Sequence, residues 1–130
     1  MVDWSRFKLV LTGLLVIAAV STGVAHAKTN ASADSLATIS VAELPAQGAQ
    51  TYALIAQGGP FPYEKDGVTF GNRERLLPAS NRGHYREYSV STPGVSHRGT
   101  RRIVCGGKPR APDACYYTAD HYASFRRIVP

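Results

Sequence analysis

The sequence is short of acidic residues and of cysteine. Its 130 residues contain 9 aspartates and glutamates against 15 lysines and arginines, a formal net charge of +6. The two cysteines, Cys105 and Cys115, are accompanied by no His-x-x-x-His motif, so the ligands of a tetrahedral zinc site are incomplete. The sequence also has no internal repeat, no coiled-coil pattern and no phosphate-cradling P-loop. The basic balance favours a polyanionic partner, although many exported proteins are basic without binding one.

Only one long hydrophobic run is present, and it lies near the N-terminus. Two basic residues precede an apolar stretch, residues 9–20, and a small-x-small pattern follows that ends at Ala27. The run is shorter than the roughly 20 residues that a membrane-spanning helix needs. No cysteine stands at the cleavage point, which excludes lipid attachment there. We expect a secretory signal peptide over residues 1–27 and a secreted protein; an uncleaved anchor is the alternative.

The two cysteines are expected to form a disulfide. Exported proteins with two cysteines usually pair them. Cys105 and Cys115 are ten residues apart, and closing so short a connection stabilises by about 2–3 kcal/mol in the chain-entropy model. In the alternative, both thiols are free and Cys105 is a small buried hydrophobic residue.

Composition divides the rest of the chain into a leader and one small domain. Residues 28–40 are rich in Ser, Ala and other small or polar residues, and they are expected to be a flexible leader. Residues 41–130 form the expected domain, which is long enough for one core but not for two.

One helix is predicted in this domain, over residues 46–57. Pro45 suits its first turn, and Gly58-Gly59 is a typical end. Its apolar residues near helical spacing are expected to face the core, namely Ala49, Tyr52, Ala53 and Ile55.

Short strands are predicted after the helix. Alternation and turn signals place them at residues 68–70, 85–90, 101–105, 115–118 and 122–129. This order predicts an α+β domain with one N-terminal helix packed on a single twisted antiparallel β-sheet. Glu87 and Arg102 are then expected on the open sheet face, opposite the helix.

A carboxylate, a histidine and several arginines occur among these strands. Glu87 lies in the alternating segment, Arg98 and Arg102 in an arginine-rich stretch, and His121 near the C-terminus. In-line cleavage of a phosphodiester requires such groups, because a base, an acid and cations act on one phosphate. From spacing alone, a solvated strand carboxylate and a surface histidine are the simpler interpretations.

At these residues the chain resembles the secreted bacterial guanyl-specific ribonucleases, the barnase-like microbial ribonuclease family, over residues 44–129. The resemblance implies the microbial ribonuclease fold and cleavage of single-stranded RNA on the 3′ side of guanosine through a 2′,3′-cyclic phosphate. No metal and no cofactor are implied. Glu87 would be the general base and His121 the general acid. Phosphate contacts would come from Arg98, Arg102 and Tyr122.

The same resemblance implies a guanine site formed by Phe70, Gly71, Asn72, Arg73 and Glu74. The carboxylate of Glu74 would accept hydrogen bonds from guanine N1–H and the exocyclic amine, and Phe70 or Arg73 would stack on the base. Asn72 is expected to shape the loop through its own side chain. Without the resemblance, a polar turn in which Glu74 caps the following segment is the default interpretation.

Partners and biological role follow less directly from the chain. A monomer with no membrane association after processing is expected, and a barstar-like acidic intracellular inhibitor would suit the basic face. Two alternatives remain open. In the first, the domain has kept the fold and binds RNA or another polyanion but has lost catalytic activity. In the second, the same ribonuclease activity serves as an antagonistic toxin against competing cells.

Overall fold

The computed structural model describes residues 35–130. The expected signal peptide and most of the expected leader lie outside these described residues. Within them, no helix is both long enough and apolar enough to cross a membrane.

The described chain forms one helix and a six-stranded sheet. In chain order the elements are β1 (Thr38–Ser40), a 3₁₀ turn (Val41–Glu43), α1 (Ala46–Gln57), β2 (Val68–Thr69), β3 (Tyr85–Ser89), β4 (Arg102–Lys108), β5 (Ala111–Thr118) and β6 (Arg126–Val129). The sheet has the spatial order β1-β6-β5-β4-β3-β2. All neighbouring strands are antiparallel except β1, which is parallel to β6. The expected α+β architecture is therefore confirmed, with a parallel pair at one edge.

The strand β1 falls within the segment that was expected to be a leader. Ile39 in β1 is 2% exposed and pairs with Ile128 of β6. The backbone N–H of Arg127 donates to the carbonyl oxygen of Ala37 at 2.8 Å. The prediction of a flexible leader is thus wrong for residues 38–40, because a strand from the far end of the chain supplies the partner that their local composition does not reveal.

The helix α1 has the predicted bounds. It follows Pro45 and ends at Gly58, whose φ of +80° is the left-handed conformation that glycine adopts at little cost. The buried face is different from the prediction, because Ala53 is exposed. Thr51 is buried instead, and its hydroxyl donates to the carbonyl oxygen of Ser89 at 3.3 Å. A polar residue therefore faces the sheet because its hydrogen bond is satisfied there.

The helix covers the main core. The predicted disulfide is confirmed and lies in this core, joining Cys105 of β4 to the directly opposite Cys115 of β5 with a Cα–Cα distance of 4.1 Å. Both strands continue beyond the cysteines, so the disulfide connects two paired strands and not the ends of a loose loop. The buried residues of this core are Ile39, Leu44, Ile55, Tyr88, Val90, Ile103, Cys105, Cys115, Tyr117 and Ile128.

The second sheet face is covered at one end only. Residues 70–78 and the segment before β6 fold over it and enclose a smaller cluster of Leu77, Tyr85, Val104, Tyr116 and Phe125. Glu87 lies on this face beyond the cluster, two residues along β3 from Tyr85. One sheet face therefore serves the core, and the other is divided between packing and polar groups.

A turn shortens the last strand. A strand was predicted over residues 122–129, but β6 begins at Arg126. Asp120 holds the turn that precedes it: its Oδ1 accepts from the Ser124 N–H at 2.9 Å, and its Oδ2 accepts from the Ser124 hydroxyl at 2.6 Å. The Thr118 hydroxyl donates to Oδ1 at 2.8 Å. These hydrogen bonds, first that of the Ser124 hydroxyl, then that of the Thr118 hydroxyl and then that of the Ser124 N–H, lower the pKa of Asp120 to about 2.

The substitution Asp120→Asn tests the contribution of this turn to stability. The folded-state pKa of Asp120 lies below the ordinary value of 3.8, so the stabilisation is complete above about pH 4. It is lost as the pH falls toward 2. The difference in unfolding free energy between wild type and Asp120→Asn, measured with urea, should therefore shrink over this range. Asp113→Asn, in the exposed β4–β5 hairpin, is the control. A difference that stays constant with pH would contradict the assignment.

Candidate active site

Glu87 is held between a cation and a phenol. Its Oε1 accepts from Nη2 of Arg98 at 3.1 Å, and its Oε2 accepts from the Tyr122 hydroxyl at 2.9 Å. The side chain of Glu87 is 14% exposed, so the carboxylate is enclosed but still reachable. Its pairing with Arg98 is the only salt bridge within residues 35–130.

Arg98 is anchored by the same strand that carries Glu87. Its Nε donates to the Ser89 hydroxyl at 2.7 Å, and Ser89 lies two residues from Glu87 on the same strand face. The Arg98 side chain is 25% exposed, so part of it is accessible. The strand therefore fixes a carboxylate and a cation side by side.

Arg102 is buried, which corrects the expectation that it lies on an open face. It is 2% exposed. Its Nη1 donates to the carbonyl oxygens of Arg101 at 2.7 Å, of Gly99 at 3.0 Å and of Arg98 at 3.4 Å. The preceding turn wraps around this guanidinium and covers it. Its Nε is buried and has no hydrogen-bond partner among the described residues.

His121 lies in the Asp120–Ser124 turn and is exposed. In a regular strand, the alternation of side chains would point His121 toward the core. The turn interrupts the strand, so His121 does not have to point there. Its φ is +53° and that of Tyr122 is +71°. The His121 N–H donates to the carbonyl oxygen of Thr100 at 3.0 Å, and the Thr100 hydroxyl donates to the carbonyl oxygen of Ala119 at 2.9 Å. Thr100 thus ties the arginine-rich turn to the histidine turn.

Tyr122 links the two halves of the site. Burial first, then the hydrogen bond and charge of Glu87, raise the pKa of Tyr122 above its ordinary 10.0, so the neutral phenol donates to the carboxylate. The guanidinium carbon of Arg102 lies 5.9 Å from the centre of the Tyr122 ring. On the other side, Phe70 stacks on this ring with centroids 5.1 Å apart.

Asn72 shapes the loop that was predicted to bind guanine. Its Nδ2 donates to the carbonyl oxygen of Leu77 at 2.9 Å, and its Oδ1 accepts from the Leu77 N–H at 3.1 Å. The expectation that its side chain organises the loop is confirmed. Glu74 is exposed, and within residues 35–130 its carboxylate makes no hydrogen bond that would cap the following segment.

A cleft of about 650 Å³ brings the predicted guanine-binding residues and His121 together. Glu87, Arg98 and Arg102 adjoin it through Tyr122, which lies in its wall. The sequence analysis did not identify three lining residues, Leu76, Ala123 and Phe125. It also did not identify the anchoring hydroxyls of Ser89 and Thr100, of which only Ser89 has a signal in the sequence: it alternates onto the same strand face as Glu87. The lining residues are Phe70, Gly71, Asn72, Arg73, Glu74, Leu76, His121, Tyr122, Ala123 and Phe125.

The described residues contain no group of three or more His, Cys, Asp or Glu side chains that could hold a metal ion. The groups gathered around Tyr122 are the Glu87 carboxylate and the guanidiniums of Arg98 and Arg102, and the His121 imidazole lines the same cleft as Tyr122.

Comparison with known proteins identifies the family. A family model described as ribonuclease matches residues 26–129. The chain is 52% identical over 98 residues to guanyl-specific ribonuclease Sa3 of Kitasatospora aureofaciens, covering 75% of this chain and 67% of the relative. It is 50% identical over 95 residues to guanyl-specific ribonuclease Sa of the same organism, covering 73% and 96%.

Solved structures agree with this assignment. Ribonuclease Sa2 in complexes with mononucleotides is 48% identical, with a TM-score of 0.68, and the match covers 73% of this chain and 95% of that one. A structure of ribonuclease Sa2 with guanosine-2′-cyclophosphate is also 48% identical, with a TM-score of 0.66 over 73% and 97% of the two chains. By sequence and by fold, this chain belongs to the ribonuclease family.

Proposed function

We propose that this ribonuclease cleaves single-stranded RNA on the 3′ side of guanosine and forms a 2′,3′-cyclic phosphate. Its relatives are named guanyl-specific ribonucleases, and ribonuclease Sa2 has been solved with guanosine-2′-cyclophosphate and with 3′-GMP. The observation that carries the proposal is the position of Glu87. It is held by Arg98 and Tyr122 next to the cleft that His121 shares with residues 70–74.

Glu87 and His121 would exchange protons with the substrate. Glu87 takes the proton from the guanosine 2′-hydroxyl as that oxygen forms a bond to the adjacent phosphorus. The bond from phosphorus to the 5′-oxygen of the next nucleotide breaks, and His121 protonates this leaving oxygen. Hydrolysis of the cyclic phosphate runs with the two roles exchanged. The attacking hydroxyl belongs to RNA, so the same reaction cannot act on DNA.

Arg98, Arg102 and Tyr122 would hold the phosphate. Guanidinium groups suit this role because they donate several hydrogen bonds in one plane. The buried Nε of Arg102 has no partner among the described residues, and such a donor is stabilised when an acceptor is supplied. The Tyr122 hydroxyl already lies within hydrogen-bond distance of Glu87, so it can reach a phosphate oxygen bound beside that carboxylate.

Removing either proton-transfer group should reduce the rate strongly. Each of the variants Glu87→Gln and His121→Ala should have a kcat/KM for the dinucleoside phosphate GpC that is about 10²–10⁴-fold lower than that of the wild type. This is the usual contribution of a proton-transfer group to the rate. The measurement is formation of guanosine 2′,3′-cyclic phosphate in EDTA. The control Glu64→Gln changes an exposed carboxylate outside the cleft and should leave the rate unchanged.

Two results would contradict these roles. Full activity in Glu87→Gln would remove that residue as the base. Tight binding of RNA by the wild type with no turnover of GpC, ApC, UpC or CpC would favour a catalytically silent RNA-binding domain.

Guanine selection is proposed for the 70–74 loop. Glu74 is exposed at the cleft, where it can accept from guanine N1–H and the exocyclic amine together. Adenine does not present this pair of donors. The two Asn72–Leu77 hydrogen bonds hold the loop conformation, and Phe70 offers an aromatic surface to the base.

The substitution Glu74→Gln should reduce base discrimination. A glutamine presents one acceptor and one donor where two acceptors are required, and a bidentate base contact carries about 1–3 kcal/mol of discrimination. The ratio of kcat/KM for GpC to that for ApC should therefore fall by about 5- to 150-fold, mainly through a lower value for GpC. Glu64→Gln again serves as the control. An unchanged ratio would exclude Glu74 from recognition of the base.

Export of the enzyme is also proposed. The N-terminal pattern that ends at Ala27 supports it, and so does the Cys105–Cys115 disulfide, because disulfides persist in oxidising compartments. Protein recovered from the medium of a producing bacterial culture should begin near Lys28 when its N-terminus is sequenced. Recovery only from cells, with Met1 retained, would contradict export.

A further inference from the structure

We propose that a second groove binds the RNA backbone on the 5′ side of the selected guanosine. This inference rests on the proposed function, since it concerns the same substrate. We call this surface the arginine groove, and it has a volume of about 780 Å³. The residues that line it include Arg73, Arg75, Ser80, Asn81, Arg82 and Gly83.

The arginine groove is continuous with the cleft. Both the cleft and the arginine groove are lined by Phe70, Gly71, Asn72 and Arg73, so the 70–74 loop forms the wall between them. None of the residues assigned to the proton transfers or to the phosphate lines the arginine groove. A strand bound in the cleft can therefore extend into the groove without covering the reacting phosphate.

The charge of the groove suits a phosphate backbone. Arg73, Arg75 and Arg82 are all exposed, and none of the residues that line the groove is acidic. In the described part of the chain no carboxylate pairs with any of these three arginines, because the only salt bridge is Arg98–Glu87. Each guanidinium is free to neutralise a phosphate, which releases counterions from the RNA.

Local structure fixes where two of these arginines stand. The His84 N–H donates to the carbonyl oxygen of Asn81 at 3.0 Å, and Gly83 has a φ of +84°. These features define a tight turn that presents Arg82 at its exposed corner. The Arg75 N–H donates to the carbonyl oxygen of Asn72 at 3.0 Å, so the backbone holds Arg75 just after the 70–74 loop, and its side chain does not line the cleft. The two cations flank the groove from separate loops.

The order of groups along β3 gives the direction of the strand. Tyr85 lines the arginine groove, Glu87 follows on the same face, and Ser89 with its bound Arg98 comes next. In the proposed reaction the scissile phosphate lies beside Glu87. His121, which protonates the leaving 5′-oxygen, is held by Thr100 of the turn that carries Arg98. The 3′ continuation therefore leaves on the side of His121 and Arg98, and the arginine groove, which His121 does not line, remains for the 5′ side.

Three substrates test this assignment: GpC, the 5′-extended CpCpGpC and the 3′-extended GpCpCpC. The wild type should cleave CpCpGpC with a several-fold higher kcat/KM than GpC. In the double variant Arg75→Gln/Arg82→Gln this advantage should disappear, while GpC is cleaved at the wild-type rate. The slope of log kcat/KM for CpCpGpC against log salt concentration should become shallower by about 0.7 for each phosphate that the variant no longer neutralises.

The control variant removes the same charge elsewhere. Arg110 and Arg126 are exposed and line neither the cleft nor the arginine groove, so Arg110→Gln/Arg126→Gln should keep the advantage of CpCpGpC. Equal losses in both double variants would show a general charge effect and overturn the groove. A loss confined to GpCpCpC would overturn the direction, and an undiminished advantage in Arg75→Gln/Arg82→Gln would overturn the site.

Binding of an uncleavable strand separates this proposal from the proposed function. CpCpGpC with 2′-deoxyguanosine lacks the nucleophile, so its dissociation constant is independent of turnover. It should bind the wild type several-fold more tightly than it binds Arg75→Gln/Arg82→Gln. Equal affinities would overturn the groove even if GpC is cleaved. Failure to cleave GpC would count against the proposed reaction while this binding difference still stands.

Discussion

The sheet face that carries the proposed active site depends on one buried guanidinium. Arg102 is enclosed by the turn that precedes it, and three carbonyl oxygens of that turn accept from its Nη1. Burying a charge is costly unless polar partners replace water, and here the backbone provides them. The turn fixed in this way carries Arg98, which holds Glu87, and Thr100, whose carbonyl oxygen holds the backbone of His121. The proposed base, the proposed acid and a proposed phosphate-binding group are thus positioned by a single turn.

The sheet separates the demands of stability and chemistry. The face under α1 is apolar and contains the Cys105–Cys115 disulfide, whose closed hairpin contributes about 2–3 kcal/mol in the chain-entropy model. The opposite face carries an enclosed carboxylate and a buried guanidinium with one unsatisfied donor. An unsatisfied buried donor costs about 1–3 kcal/mol, which is of the same size as the disulfide contribution. Stability on one face can therefore offset polar groups retained on the other.

Local signals in the sequence predicted local structure well. Pro45 and Gly58 gave the bounds of α1, and the cysteine pair gave the disulfide, because each depends on residues close in the chain. The strand β1 was missed since its partner β6 is almost ninety residues away. The turn at Asp120 was hidden for a different reason. Its left-handed residues, His121 and Tyr122, are not glycines, so no residue type in the sequence marks that conformation; the Asp120–Ser124 hydrogen bonds and the contact of His121 with Thr100 select it.

The site residues were predictable where chemistry requires a residue type, but not where packing decides the environment. The parity of β3 placed Glu87 on the face away from the helix, as found. The same reasoning placed Arg102 on an open face, yet the chain folds back over it and buries it. The alternation of residues along a strand predicts only the sheet face toward which each side chain points. Whether a loop covers that direction depends on the carbonyl groups of the 98–101 turn, whose positions no local pattern in the sequence encodes.

Backbone strain is concentrated in the two loops that form the cleft. All four non-glycine residues with positive φ within residues 35–130 lie there: Asn72, Arg75, His121 and Tyr122. Such conformations cost of order 1–3 kcal/mol each, with asparagine at the low end, and they persist only when their surroundings impose them. The Asn72–Leu77 and Asp120–Ser124 hydrogen bonds supply that constraint. Because these hydrogen bonds are made entirely between groups of the protein, they can hold the loops in shape before substrate binds. Binding energy is then available for the phosphate and the base, since little is needed to order the site.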